Sequence, residues 1–248
     1  SHVLDPRAAA QNNAPVLHEN QFTFGIDPPS TQPSNIFRIA KGERGNLENG
    51  FQEADLVIER EFSSKPVHQG YIEPMACVAT ASEDGAIELW TSTQGHFVAR
   101  TLLSKLLGVD MAKIRVTASE IGGGFGGKTT VYAEPVAIRL SQKTGRPVRI
   151  AMTRSEVFIA TGPTVGSRTR IKVGMKKDGT ITAGEAEIWH DAGAFKGSPI
   201  GRAVDTFFSP YTIKNCKAVA YDVCVNRPKV AAYRAPGATM ACYPMESI

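Results

Sequence analysis

From Ala54 onward, apolar and polar positions alternate in short runs, and the alternation predicts strands. Leu56 to Phe62 (LVIEREF) reads as the first. Ala76–Ser82 and Ala86–Thr91 flank Asp84-Gly85, a two-residue hairpin turn. A longer hairpin is predicted from Ser167–Met175 and Thr180–His190, turned at Asp178-Gly179. Further strands are predicted over Ala112–Ala118, Pro147–Thr153 and Lys217–Val225. The period changes over Gly95–Leu107, where Phe97, Leu102, Leu103 and Leu106 share one helical face and Gly108 stands at the C-cap position. Thr130–Leu140 carries a mostly helical pattern interrupted by Pro135, and a short helix is predicted near Ser155–Ala160. Ala231–Gly237 is a bent loop leading into a helix that the chain end at Ile248 cuts short.

The class predicted is α+β, with mixed sheets and packed helices. Residues 3 to about 52 are polar, rich in Asn and Pro, and weakly patterned. Residues 1–52 are therefore expected to form an extended arm or linker, and 53–248 a domain truncated at its C-terminal end. Ser1-His2 is expected to be a tag remnant outside the fold.

A chain of 248 residues, 42% hydrophobic, can bury the core of one large domain or two small ones. The net charge of +4 comes from scattered Lys and Arg, which points to a solvated surface and not to nucleic-acid binding. No apolar run approaches the ~18 residues of a membrane span. No secretory signal is visible, though an internal piece would show none; the cytoplasm is the expected compartment and the periplasm the alternative. The four cysteines lie far apart with no C-x-x-C pair, which argues against a zinc knuckle or a cysteine-held iron–sulfur cluster. Each is expected to be a small buried apolar residue. No two of the five histidines are spaced i, i+4; His68 and His96, beside polar loops, are the ones placed to meet a ligand.

The strongest chemical signal is Gly122-Gly123-Gly124-Phe125-Gly126-Gly127-Lys128-Thr129. Glycine costs backbone entropy and fills no core. Such a cluster predicts positive φ angles, or a backbone pressed against something other than protein. The string satisfies the P-loop pattern through Gly122, Gly127, Lys128 and Thr129, and the dinucleotide pattern through Gly122, Gly124 and Gly127. A third possibility is a loop holding another anionic cofactor by its N–H groups. A P-loop strand in a parallel sheet should be continuously apolar, yet Lys113 and Arg115 alternate with Ile114 and Val116. The next predicted strand ends in Thr153-Arg154, so it supplies neither a magnesium carboxylate nor the acidic residue of a dinucleotide site.

Two further loops carry chemistry. Ser92 and Thr93 suit helix caps, whereas the Gln94 amide can donate to an oxo ligand while accepting from a neighbour. Arg234 stands between Tyr233 and Ala235-Pro236-Gly237, where the backbone is stiffened.

Ser92-Thr93-Gln94, the glycine loop through Lys128 and Ala232-Tyr233-Arg234-Ala235-Pro236-Gly237, in that order and spacing, resemble the molybdenum-binding large subunit of the xanthine dehydrogenase and aldehyde oxidase family. Val3-Leu4-Asp5-Pro6-Arg7 and His68-Gln69-Gly70-Tyr71-Ile72-Glu73-Pro74 also fit, so the resemblance covers nearly all of residues 3–248. It implies a molybdopterin enzyme that hydroxylates a carbon beside a heteroatom or carbonyl, with water as oxygen source. It implies that Gln94 bonds an oxygen ligand of molybdenum, that backbone around Gly123, Gly124, Phe125 and Gly126 meets the metal centre or its pterin, and that Arg234 and Ala235 approach the same centre. It also implies partners carrying [2Fe–2S] clusters and FAD, the remainder of the large subunit, and a small-molecule substrate. The family's glutamate base lies near the end of the full subunit, so this chain alone is expected to be inactive. Purine-hydroxylating relatives have Glu where Thr129 stands, so an aldehyde or aromatic heterocycle is expected. Copper-containing relatives have Cys where Ala235 stands, so no copper is expected. The rival expectations are a P-loop nucleotide-binding protein using Lys128 and Thr129, and a cofactor-free scaffold. Surface left bare by the missing remainder would favour self-association.

Overall fold

The computed structural model describes residues 2–248; Ser1 of the tag-like pair lies outside the described residues. In chain order the elements begin with α1 (Pro6–Ala9), β1 (Ile36–Arg44), α2 (Leu47–Gln52) and β2 (Leu56–Ser64). Next come β3 (Ala76–Ala81), β4 (Ile87–Thr91), α3 (His96–Leu107) and β5 (Ile114–Ala118). They continue with α4 (Glu134–Thr144), β6 (Val148–Ala151), α5 (Arg154–Ala160) and β7 (Gly166–Met175). The last are β8 (Ile181–Asp191), α6 (Ile200–Phe207), β9 (Asn215–Val223) and α7 (Ala238–Ser247). The mixed sheets and packed helices expected of the α+β class are present. The chain folds as two compact units.

One unit runs up to Val67 and adds Thr164–Val230 and Ala235–Ile248. Its five-stranded sheet has the order β1-β9-β8-β7-β2, antiparallel throughout except for the parallel β8–β9 pair. The segment up to residue 52 contributes α1, β1 and α2 to this unit. Ile171, Val173, Ala186 and Ile188 on the sheet bury against Ile200, Ala203 and Phe207 of α6 and Ala241 and Met245 of α7.

On β8, His190 is fully buried, and neither ring nitrogen has a hydrogen-bond partner among the described residues. Burial pushes its imidazole down from 6.5 to about 4. The unfolded chain therefore takes up this proton first as the pH falls. Stability is expected to drop by up to about 1.4 kcal/mol for each pH unit between 6.5 and about 4. Denaturation midpoints at stepped pH test this, with His190→Leu flattening the slope; an unchanged slope in the variant would refute the assignment.

The other unit comprises His68–Pro163 and the tetrapeptide Ala231–Arg234. Its four-stranded sheet has the order β5-β4-β3-β6. β3 is antiparallel to both neighbours, and α3 carries the chain from β4 to the parallel β5. Leu103 and Leu107 of α3 and Ala137 and Ile138 of α4 pack on Cys77, Ala79, Ile87 and Leu89. Gly108 ends α3 in the left-handed conformation, and Pro135 initiates α4 instead of interrupting it.

Two sequence expectations need correction here. The polar alternation of Lys113 and Arg115 does not exclude parallel pairing: β5 is parallel to β4 but lies at the sheet edge, where Arg115 is exposed and pairs with Glu88. Of the cysteines, Cys77 and Cys224 are buried, but Cys216 and Cys242 are partly exposed.

Candidate functional site

The glycine loop follows β5 and precedes α4, and it is bonded to neighbours within its own unit. A Cβ on Gly122 would lie 2.7 Å from the Glu73 Cβ, and one on Gly124 would lie 2.5 Å from the Gln94 Oε1. On Gly126 it would meet the Ala232 carbonyl oxygen at 2.7 Å, and on Gly127 the Tyr71 ring at 2.9 Å. The expectation that these glycines clear space for a non-protein group is thus corrected: most clear space for protein. The expectation of positive φ holds at Gly123 (94°) and Gly126 (103°).

Gln94 organises the centre of the loop. Its Oε1 accepts from the Gly126 amide at 2.8 Å and the Lys128 amide at 3.2 Å, while its backbone N–H donates to the Lys128 carbonyl at 2.9 Å. Its Nε2 has no partner among the described residues, and the residue is exposed. The accepting half of the sequence expectation is therefore taken up by two loop amides. Neither Ser92 nor Thr93 is the N-cap of α3, which is Gly95 without a side-chain bond of its own, but Thr93 Oγ1 accepts from the Gly95 amide at 3.1 Å. The Thr93 hydroxyl also donates to the Lys128 carbonyl at 3.2 Å, and Ser92 Oγ accepts from the Ala76 amide at 3.4 Å.

Within the loop, the Gly127 amide donates to the Gly124 carbonyl at 2.8 Å and the Thr129 hydroxyl to the Gly126 carbonyl at 2.7 Å. The amides of Gly123, Gly124 and Phe125 find no acceptor among the described residues. Phe125 is also exposed, with φ at +52°. Phe125 and Ala235 (+55°) are the non-glycine residues with positive φ among those described, and both stand in loops singled out from the sequence. Such conformations cost of order 1–3 kcal/mol and concentrate where function holds them.

The Arg234 amide donates to the Phe125 carbonyl at 2.8 Å, and the Ala231 amide to the Pro163 carbonyl at 2.8 Å, so residues 231–234 are docked onto this unit. The Arg234 side chain is exposed and unpaired among the described residues. Ala235 belongs to the other unit, where its carbonyl accepts from the Ala238 amide at 3.2 Å.

Two residues were quoted for their motif but given no role. Gln69 is buried; its Nε2 donates to the Ala232 carbonyl at 2.9 Å and the Gly162 carbonyl at 3.2 Å. Glu73 Oε2 accepts from Lys128 Nζ at 2.6 Å and from the Gly122 amide at 2.9 Å. Burial pushes the Glu73 carboxyl up, but the Lys128 ammonium and the Gly122 amide together outweigh this and hold it below the usual carboxylate range. Their polar character was visible in the sequence; their partners, 55 residues apart for Glu73–Lys128, were not.

Lys128 itself is fully buried, its ammonium 5.0 Å above the Tyr71 ring. A P-loop lysine must reach a phosphate as a free charge, so the nucleotide alternative is not favoured. His68 is likewise committed: Nδ1 accepts from the Gly70 amide at 3.0 Å, which leaves Nε2–H to donate to Thr161 Oγ1 at 2.8 Å. His96 is exposed and rests against Phe97. Among the described residues no His, Cys, Asp and Glu cluster could hold a metal ion, and no helix is long and apolar enough to cross a membrane.

Comparison with known proteins places this geometry in context. The pattern of the family described as molybdopterin cofactor-binding domain matches residues 29–248. The "Xanthine dehydrogenase/oxidase" of Mus musculus is 34% identical over 204 residues, covering 79% of this chain and 15% of that protein. The "Nicotinate dehydrogenase large molybdopterin subunit" of Eubacterium barkeri is 28% identical over 211 residues, covering 84% of this chain and 50% of that protein. Among solved structures, reconstituted CO dehydrogenase from Oligotropha carboxidovorans superposes with a TM-score of 0.85 at 26% identity, covering 99% of this chain and 32% of that one. The chain thus spans half the length of these relatives or less.

Proposed function

This chain belongs to the molybdopterin cofactor-binding domain family, and on that premise we propose that it is part of a molybdenum hydroxylase acting on an aldehyde or aromatic heterocycle. The observation that carries the proposal is the row of unspent amides at Gly123, Gly124 and Phe125 beside the free Nε2 of Gln94. Amides fixed by bonds elsewhere in their loop suit an anionic oxygen- and sulfur-bearing group. The residues present therefore fit molybdopterin.

Gln94 Nε2 would bond an oxygen on the metal, the Gly123–Phe125 backbone would hold the metal centre or pterin, and the Arg234 guanidinium would add positive charge. The Gly126 amide is already given to Gln94, so its part is to fix that side chain. Bound molybdenum supplies the redox chemistry, while these residues supply orientation and electrostatics. No base for the reaction is assigned to this chain, and we propose that it turns over no substrate without the remainder of the large subunit and its [2Fe–2S] and FAD partners. A relative named for nicotinate, an aromatic heterocycle, supports that substrate class. As the compartment we propose the cytoplasm.

The test is molybdenum and pterin content of the longer protein containing this chain, purified after expression with the cofactor supplied. About one metal per chain is expected; a metal-free protein that is otherwise folded would defeat the proposal.

A further inference from the structure

We propose that Glu73 is the positioning residue of the glycine loop, one carboxylate oxygen fixing both ends of the 122–128 segment so that the free amides between them stay arrayed. Its relevance to cofactor binding rests on the function proposed above. Glu73 Oε2 takes the Gly122 amide at the loop's entrance and the Lys128 ammonium at its exit. The Glu73 amide returns a bond to the Gly122 carbonyl at 3.0 Å, which closes the entrance on both sides. Glycine-rich backbone has no stiffness of its own. A cradle whose donors must be prearranged needs pins outside the sequence that makes it.

Gln94 pins the middle of the loop, but it does so from an exposed position and its other end is the donor proposed for the ligand. Glu73 makes no such outward commitment. Its charge is also the reason Lys128 can be buried: that ammonium has no other hydrogen-bond acceptor among the described residues. A buried ammonium without a counter-charge is strongly disfavoured, so the Lys128 side chain stays buried only while Glu73 is ionised and in place, although Gln94 and Thr93 also bond the Lys128 backbone.

The test is amide hydrogen exchange by NMR on this chain, comparing the wild type with Glu73→Leu/Lys128→Met. The double variant removes both charges together, so no stranded ammonium threatens folding. The reporters are Gly126, Gly127 and Arg234, whose amides bond Gln94 Oε1, the Gly124 carbonyl and the Phe125 carbonyl, and none of which touches Glu73. Ala99 in α3 and Ala137 in α4 serve as controls for the unit as a whole.

Exchange at the three reporters is expected to rise about tenfold or more, with both controls unchanged. Wild-type rates at the reporters would overturn the proposal. Equal acceleration at the controls would also overturn it, because Glu73 would then hold up the unit and not the loop. In parallel, the metal-to-protein ratio of the longer protein should fall about tenfold in the double variant, in step with the loss of loop protection. A metal-free wild type would defeat the cofactor reading and leave the exchange result to decide the role of Glu73.

Discussion

Gly193→Ala should destabilise the unit built on the five-stranded sheet by about 3 kcal/mol or more, the largest effect expected of any single methyl group in this chain. Gly193 follows β8 with φ at +71°, a conformation that costs an alanine roughly 1–2 kcal/mol. The added Cβ would also lie 2.0 Å from the Pro228 carbonyl oxygen and 2.6 Å from its carbon. Those atoms are backbone and cannot swing aside. The position is tied down on three sides, which blocks relaxation. The Gly193 amide donates to Oδ1 of the buried Asp191 at 2.9 Å, its carbonyl accepts from the Val225 amide at 3.0 Å, and the Ala194 amide donates to the Arg227 carbonyl at 2.8 Å. Gly108→Ala is the internal comparison, since its φ is similar (+65°) but nothing lies within 4 Å of the added carbon. It should cost only the conformational part, roughly 1–2 kcal/mol. Urea midpoints of the two variants separate conformational strain from collision; equal losses would mean that the Pro228 segment yields freely.

What was legible from the sequence is what depends on near neighbours. The turns at Asp84-Gly85 and Asp178-Gly179, the C-cap at Gly108 and the alternation of β7 and β8 all follow from residues within a few positions of each other. β1 was not legible. Its Arg38, Lys41, Glu43 and Arg44 break the alternation, and its partner β9 lies far along the chain, with Ile36 opposite Val223. α6 carries apolar residues Ile200, Ala203, Val204 and Phe207 at helical spacing, but it is only eight residues long and has no side-chain cap to announce it.

The candidate site divides along the same line. Gln94, Phe125 and Arg234 stand out because their local setting serves no packing need. The glycines misled because a missing side chain looks the same in sequence whether a ligand or a protein neighbour takes the space. Gly122 gives way to Glu73, 49 residues earlier, and Gly126 to Ala232, in a loop near the other end of the chain. Only the folded chain distinguishes these. The same holds for Lys128, whose place in a phosphate-binding pattern is cancelled by a carboxylate that no local pattern could reveal.

Gln94→Glu should leave the fold intact and abolish most cofactor retention. Glu places two oxygens where Gln has one oxygen and one NH2, so the Gly126 and Lys128 amides keep an acceptor at the same distance. Those bonds become charge-assisted, and the melting midpoint should stay within a few degrees of the wild type. The outward face changes sign. The Nε2 donor is replaced by a carboxylate oxygen that must face the anionic group proposed to lie there. Losing a hydrogen bond to a charged group costs about 1.5–3 kcal/mol, and repulsion adds to it, so retention should fall by about a hundredfold. Gln94→Leu provides the contrast, since it strips the acceptor from the Gly126 and Lys128 amides and should lower both the midpoint and the metal content. Metal per chain after dialysis, measured beside the melting curve on the longer protein, separates the two roles of this side chain. Full metal in Gln94→Glu would mean that Nε2 faces no ligand and that Gln94 serves only to brace the loop.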